Sequence, residues 1–472
     1  MLFNSYIFIF SFLPIVFILF WGLRLCGAQK TSLWILVVAS LVFYCYQDFS
    51  FGVLLAASVL VNYGLHRLLI AQKGIVQKTA LVVGCLYNLG ILFYFKYLNF
   101  FIDNFNKITG SELLVYGVIL PLGISFYTFQ QLSVLIDSYK GKCEKYSFLE
   151  YSLYICFFPQ LIAGPIVLHT EMVPQIRNLT DKRPQIENVY DGLQYFILGL
   201  AKKLIVADAL GRGVDWGYSN ILWLNSFSAA ALILLYTLQI YFDFSGYCDM
   251  AIGLGRLFGF NIAINFNSPY KALSVSEFWK RWHITLTRFF TTYVYIPLGG
   301  NRKGTVRTCI NVFIVFALSG LWHGAAWTFV VWGIMHGIMM IAERLIGTKR
   351  LEKIPKVIRF IYTFGFVNYA WVFFRAPNFT DAINIFKRVL HGGSGYFVDG
   401  MADAIISSGM LAQIGSTAVV VIALYFAIFH INTAEIVSKR CTKTFYAVVV
   451  GVIFLWSVVV ISGISTFLYF NF

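Results

Sequence analysis

Runs of about twenty apolar residues recur along this chain from Tyr6 almost to its last residue, and nothing else in it constrains the fold as tightly. A helix needs roughly 20 apolar residues to cross a hydrocarbon core about 30 Å thick, whereas the strands of a membrane barrel read as short alternating segments. The pattern predicts an all-α polytopic membrane protein. Composition supports it: 59% of the 472 residues are hydrophobic and only 12% charged, against about a quarter charged in a soluble domain.

Candidate spans lie near 5–25, 32–47, 51–70, 79–98, 113–136, 147–168, 190–210 and 226–246, then, after an interrupted middle, 308–342, 357–374, 411–431 and 444–469. The first run continues into more apolar sequence without a small-residue cleavage site, so a retained helix is expected rather than a signal peptide. The formal net charge of +15 sits in short clusters between runs rather than on one basic face, which argues against nucleic acid and for a cytoplasmic excess of Lys and Arg. Arg24 and Lys30, then Arg67, Lys73 and Lys78, then Lys140, Lys142 and Lys145 fall in alternate connections. Both termini are therefore expected outside. The eight cysteines are scattered without a CxxC pair, so neither a disulfide framework nor a metal site is indicated.

The stretch SGLWHGAAW, from Ser319, places His323 inside a run of roughly 35 apolar residues, where an ionisable group is by default a functional-site candidate. Small neighbours permit close approach, and an imidazole can take a proton from an alcohol near neutral pH. A helix-packing motif with a hydrogen-bonded histidine is the alternative. Arg302, Lys303 and Arg307 precede this run and Arg344 follows it, and Thr308–Trp322 as a helix would reach only ~22 Å. A re-entrant pair meeting near SGLWHG is expected. His336 would lie ~20 Å from His323 along a continuous helix, too far for a direct partner.

Between about 246 and 305, charge and apolar length interleave as in short interfacial or shielded helices. His283 sits here in EFWKRWHITLTRFF, where Trp279, Lys280, Arg281 and Trp282 could meet an anionic donor at the membrane interface; an amphipathic anchoring helix would read the same way. Asp243 and Asp249, in YFDFSGYCDMA, could tune a site or pair with a basic residue. His66, His169, His391 and His430 fall at or near span ends, where an interfacial role is the default. The segment FLYFNF, Phe467–Phe472, carries the phenol of Tyr469, which aromatic-belt anchoring would explain. No HExxH, P-loop or GxSxG pattern supports metal or serine-triad chemistry.

In order along the chain, PLGISFYTFQ, FFPQLIAGPI, YFDFSGYCDMA, FWKRWHITLTRFF, YIPLGGNRKG, SGLWHGAAW and AWVFFRAPNFTDA resemble the membrane-bound O-acyltransferase (MBOAT) family. The closer likeness is to its bacterial branch of alginate and peptidoglycan O-acetyltransferase membrane subunits and the teichoic acid D-alanyl transfer protein. The resemblance implies a single MBOAT domain over 1–472, with about 11–13 transmembrane or re-entrant segments around a central funnel or tunnel. Within it, 1–140 would be amino-terminal helices, 141–345 the catalytic core, and 346–472 carboxyl-terminal helices ending in the hexapeptide 467–472. It further implies His323 as the catalytic residue, His283 as a second catalytic or site-lining histidine, and Tyr469 as an acyl relay. Trp279, Lys280, Arg281, Trp282, Trp322 and Asp243 become donor-binding or tunnel-lining candidates.

The expected function is transfer of an acyl group, most simply acetyl, from cytoplasmic acyl-CoA across a bacterial cytoplasmic membrane to an extracytoplasmic polysaccharide. Acetyl-CoA would be a substrate, with no permanently bound cofactor or metal, and an extracytoplasmic SGNH-type acetyltransferase would be the partner. A transporter or flippase for a lipid-linked or small substrate is the rival; the ordered His283 and His323 motifs and the lack of visible repeats favour the enzyme.

Overall fold

The computed structural model describes residues 1–406, 411–439, 444–461 and 467–468, and every regular element among them is a helix. Seven of the described helices are long and apolar enough to cross a membrane: Phe8–Leu25, Phe49–Ala71, Gly74–Thr109, Ser226–Leu257, Gly304–His323, Trp327–Ile346 and Lys356–Arg375. Gln29–Cys45, Ala412–Ile428 and Phe445–Val459 are shorter apolar helices. This is the all-α, multi-pass build that the apolar runs predict. The chain divides into two compact units, Met1–Phe196 with Met250–Ala263, and Ile197–Asp249 with Ile264–Phe472.

In the first unit, Phe8, Phe12, Phe43 and Phe158 join the first two helices to the segment after Phe148–Cys156, with ring centroids 5.5–6.2 Å apart. A polar knot replaces aromatic packing further along. Asn62 and Asn88 exchange amide hydrogen bonds at 2.6 and 3.2 Å, and the Ser58 hydroxyl donates to Gln131 at 3.1 Å. Between membrane helices such bonds hold neighbours together where apolar burial cannot discriminate helix from lipid.

Two expected spans are corrected here. The run 113–136 is apolar up to Ile124 and carries Ser125, Thr128, Gln130, Gln131 and Ser133 beyond it, and only Ile124–Tyr139 is helical. Pro121 and Gly123 interrupt it, and Gly123 holds φ +74° where a Cβ would meet the Leu161 carbonyl at 2.5 Å. The run 147–168 breaks into Phe148–Cys156, Phe158–Leu161 and a non-helical stretch, buried from Tyr151 to Val167. Hydropathy registered burial in the second run, whereas residues 113–117 and Ile119 of the first are exposed, and neither apolarity nor burial requires a continuous helix. His66 and His169, expected at an interface, are both 0% exposed.

The second unit contains the long helix Ser226–Leu257 up to Asp249 and, after Ile264, the short helices Val275–Arg281 and Ile284–Phe290. The first of these is started twice over: the Ser274 hydroxyl accepts from the Glu277 N–H at 3.0 Å, and the Glu343 carboxylate accepts from Val275 and Ser276 at 2.6 and 2.8 Å. Glu343 belongs to Trp327–Ile346, which forms a tight helical hairpin with Gly304–His323. The hairpin closes because Gly320 and Gly333 let the two backbones touch; a Cβ on Gly333 would collide with the Phe316 carbonyl and sit 3.0 Å from Gly320 Cα.

The hairpin revises the expectation for this run. Its first arm begins at Gly304, not Thr308, so Arg307 lies inside the first turn and the arm has twenty residues, about 30 Å. It is not too short to span. The chain reverses at Gly324–Ala326, so the distance argument against His336 fails as well: His323 and His336 both contact Trp332 at 5.0 Å.

Candidate active site

His323 ends the helix Gly304–His323, and His283 is the second of two residues, after Trp282, that join two seven-residue helices. To make that two-residue joint, His283 adopts φ 45°, ψ 51°, in the left-handed region. The turn buries its imidazole completely, and His323 is 3% exposed. The two ring centroids are 6.5 Å apart.

Most of the wall around them is carbon. Trp322, Trp332 and Phe374 meet His323 at 4.9, 5.0 and 5.2 Å, and Phe244 meets His283 at 4.8 Å. Asn265 fixes the His283 tautomer. Its Oδ1 accepts from the Thr285 N–H at 3.1 Å and hydroxyl at 2.9 Å, its Nδ2 donates to Cys248 Sγ at 3.4 Å, and the same Oδ1 lies 3.2 Å from His283 Nδ1. An amide oxygen only accepts, so the proton sits on Nδ1 and Nε2 carries the basic lone pair. Burial pushes the imidazole down to about 3, which keeps it neutral at physiological pH.

The other sequence candidates divide. Trp279 donates its indole N–H to His336 Nδ1 at 3.1 Å and packs on Phe316 and Trp332. Trp282 is 1% exposed, stacked on Phe278 at 5.5 Å and packed on Trp371 at 5.0 Å. Both tryptophans build the scaffold behind the histidines. Lys280 is exposed, while Arg281 is held by Glu277 at 2.8 Å and by the Asn267 carbonyl at 3.2 Å. A cavity of about 240 Å³ lies between Trp279, Phe290, Phe316, Ser319, Met340 and the exposed Arg344; Ser319 is one turn before His323.

Asp243 is held within the chain by an ion pair and a backbone hydrogen bond. Its carboxylate accepts from Lys203 at 2.7 Å, and Lys203 also meets Asp208 at 2.8 Å. The other carboxylate oxygen accepts from the Leu468 N–H at 2.9 Å. Phe467, 1% exposed, lies 4.6 Å from the Lys203 ammonium and edge-on to Tyr247 at 4.8 Å. Residues 467 and 468 thus rest on the same turn of Ser226–Leu257 that backs His283 through Phe244. Tyr469 lies outside the described residues. Asp249, the second acidic residue of that motif, pairs with Lys202 at 2.6 Å and accepts from the Thr433 hydroxyl at 2.7 Å.

Sequence reasoning missed Asn265, Trp332, Phe374 and His336. Only one signal was available for them: Trp332 and His336 are one helical turn apart, so they had to share a face.

Fold and site together define a class, a multi-pass helical membrane protein holding two buried histidines among aromatic rings, one of them held neutral. The model of the MBOAT, membrane-bound O-acyltransferase, family matches residues 25–380, and the chain belongs to that family. It is 37% identical to the peptidoglycan O-acetyltransferase of Helicobacter pylori, over 100% of this chain and 98% of that protein. Identity is 36% to the probable alginate O-acetylase AlgI of Pseudomonas aeruginosa, covering 84% and 76%, and 25% to the teichoic acid D-alanyltransferase of Bacillus subtilis, covering 56% and 71%. The protein is a membrane O-acyltransferase, and the transporter reading falls.

Proposed function

We propose that this protein takes an acetyl group from cytoplasmic acetyl-CoA, passes it through His323 and Tyr469, and delivers it for O-acetylation of an extracytoplasmic polysaccharide. The observation that carries the reading is the buried pair His283 and His323, 6.5 Å apart, with His283 locked as a neutral tautomer. His323 acts as general base: it takes the phenol proton as the Tyr469 oxygen attacks the thioester carbonyl, and the CoA thiolate leaves and is protonated. A phenol of ordinary pKa ~10 is a poor nucleophile at neutral pH without such a base.

Two further observations support the route. Phe467 and Leu468 are held by Lys203, Tyr247 and Asp243, on the helix turn whose Phe244 packs on His283, which favours Tyr469 as the acceptor. The apolar cavity beside Ser319, with the exposed Arg344, suits a pantetheine arm with its phosphates toward the basic side chain. The names of the relatives, peptidoglycan O-acetyltransferase and alginate O-acetylase, favour a glycan hydroxyl as final acceptor, reached through an SGNH-type partner outside a bacterial cytoplasmic membrane. Both chain termini would then face outside.

The test is purified protein given radiolabelled acetyl-CoA, with His323→Ala and Tyr469→Phe alongside. Label on Tyr469 that disappears in both variants is expected. Undiminished transfer by His323→Ala rejects the mechanism; full labelling of Tyr469→Phe removes the tyrosine relay alone.

A further inference from the structure

The first unit holds a second cluster of reactive groups, remote in sequence from the two catalytic histidines. Asp137, in the last turn of Ile124–Tyr139, lies 3.1 Å from His169 Nε2. The other ring nitrogen, Nδ1, lies 3.8 Å from Cys143 Sγ and 2.7 Å from the Tyr146 hydroxyl. His169 is fully buried, whereas Cys143 is half-buried in the loop that leads to Phe148–Cys156. Thiol, imidazole and carboxylate stand in series, the order in which a nucleophile, its base and the orienting group of that base are arranged. Sγ and the carboxylate address opposite ring nitrogens, so the three do not converge on a metal.

The loop is held in place from two sides. Arg177 binds Glu150 at 2.7 Å, pairs with Glu144, and lies 5.4 Å over the Tyr146 ring. His66 Nε2 accepts from the Tyr146 N–H at 3.2 Å. Burial would push the Cys143 thiol up, but hydrogen bonds from His169 and His66 and the His169 charge bring it down to about 6. Burial would likewise depress His169, and its hydrogen bonds to Asp137 and Cys143 lift it to about 9 instead. At neutral pH the pair is thiolate and imidazolium, the reactive form of cysteine. Around it the sequence KGKCEK places Lys140, Lys142 and Lys145, all exposed, in a loop whose basic charge marks it as cytoplasmic.

We propose that Cys143 is a second acyl acceptor, a thiolate that forms a thioester with the acyl group of an anionic acyl-CoA drawn to this basic loop. The identity of the donor rests on the function proposed above. In the step, Sγ attacks the thioester carbonyl and a new C–S bond forms. The tetrahedral adduct collapses by breaking the bond to CoA, and the His169 imidazolium gives its proton to the departing CoA thiolate. One thioester replaces another, with no oxidant or reductant.

Full-length protein incubated with radiolabelled acetyl-CoA at pH 7 is expected to carry label on the Cys143 peptide, released by neutral hydroxylamine and absent in Cys143→Ser. His169→Asn, checked as monodisperse in detergent, is expected to lower that label by about tenfold or more. In the same variant the pH midpoint for alkylation of Cys143 by iodoacetamide should move up toward the ordinary thiol value of about 8.5. An unlabelled Cys143 peptide overturns the proposal, as does equal labelling in His169→Asn. CoA release that depends on His323, measured in the same samples, separates the two readings. If it persists while Cys143 stays unlabelled, this proposal alone falls; if both are lost, the choice of donor falls as well.

Discussion

His283 and His169 are both 0% exposed, yet burial and partners push their protonation in opposite directions. His283 faces an amide oxygen and the ring of Phe244, and desolvation drives it down to about 3. His169 faces the Asp137 carboxylate and a thiol, which overcome the same desolvation and bring it up to about 9. Burial does not by itself set the protonation of an imidazole; the charge of the nearest partner decides it. The neutral His283 offers Nε2 as a hydrogen-bond acceptor, whereas a charged His169 can stabilise a thiolate beside it.

The largest effect that bears on this contrast is expected from His323→Ala, which should lower acetyl transfer by about 10²- to 10⁴-fold in a radiolabel assay; a loss smaller than threefold would remove the imidazole from the chemistry. Asn265→Asp makes the dry site imitate the loop site. A carboxylate at Nδ1 should raise His283, so that transfer at pH 7 falls by about tenfold and recovers as pH rises through the new midpoint. A pH profile parallel to that of the parent would show that the neutral amide is not what keeps His283 uncharged. Asp243→Asn keeps a polar group beside Leu468 but leaves Lys203 with less negative charge around it. Labelling of Tyr469 should fall several-fold while labelling of Cys143 is unaltered, and equal losses at both would mark general unfolding.

The smallest effect is one of stability against pH. His169, raised above its ordinary value of about 6.5, contributes stability that is complete below that value and is lost as pH rises through about 9. Cys143, lowered to about 6, works in the opposite sense: its contribution is present above its ordinary value of about 8.5 and is lost as pH falls through about 6. The two slopes oppose each other, so the melting temperature of the parent should be nearly flat between those limits. In Cys143→Ser the His169 slope survives with Asp137 as its remaining partner, and melting should drop by roughly 1–3 °C over the same range. A flat curve for that variant would show that the thiol, rather than Asp137, is what holds His169 charged.

The helical class, the broken middle and the histidines 283 and 323 were legible in the sequence, because apolar length and short motifs are local properties. What escaped was whatever depends on the chain returning to itself. The span expected at 113–136 failed because hydropathy counts carbon and is blind to Pro121 and Gly123. His336 was placed far from His323 by assuming one continuous helix, when Gly320 and Gly333 make a hairpin of it. His169 was assigned to an interface from its position after a span, although its partner Asp137 lies 32 residues earlier. Asn265, which sets the His283 tautomer, sits in an unremarkable polar stretch and becomes meaningful only through Thr285 and Cys248.

The left-handed backbone at His283 has a practical consequence for anyone who selects hardier versions of this protein. That conformation costs a residue with a side chain on the order of 1–2 kcal/mol and costs glycine almost nothing. Glycine at position 283 would relieve that strain but would also empty a fully buried side-chain site, at a cost of about 2–5 kcal/mol, so a screen for heat resistance would keep the histidine. The strained joint is held by what the imidazole packs against, Phe244 and Asn265, rather than by its own backbone preference.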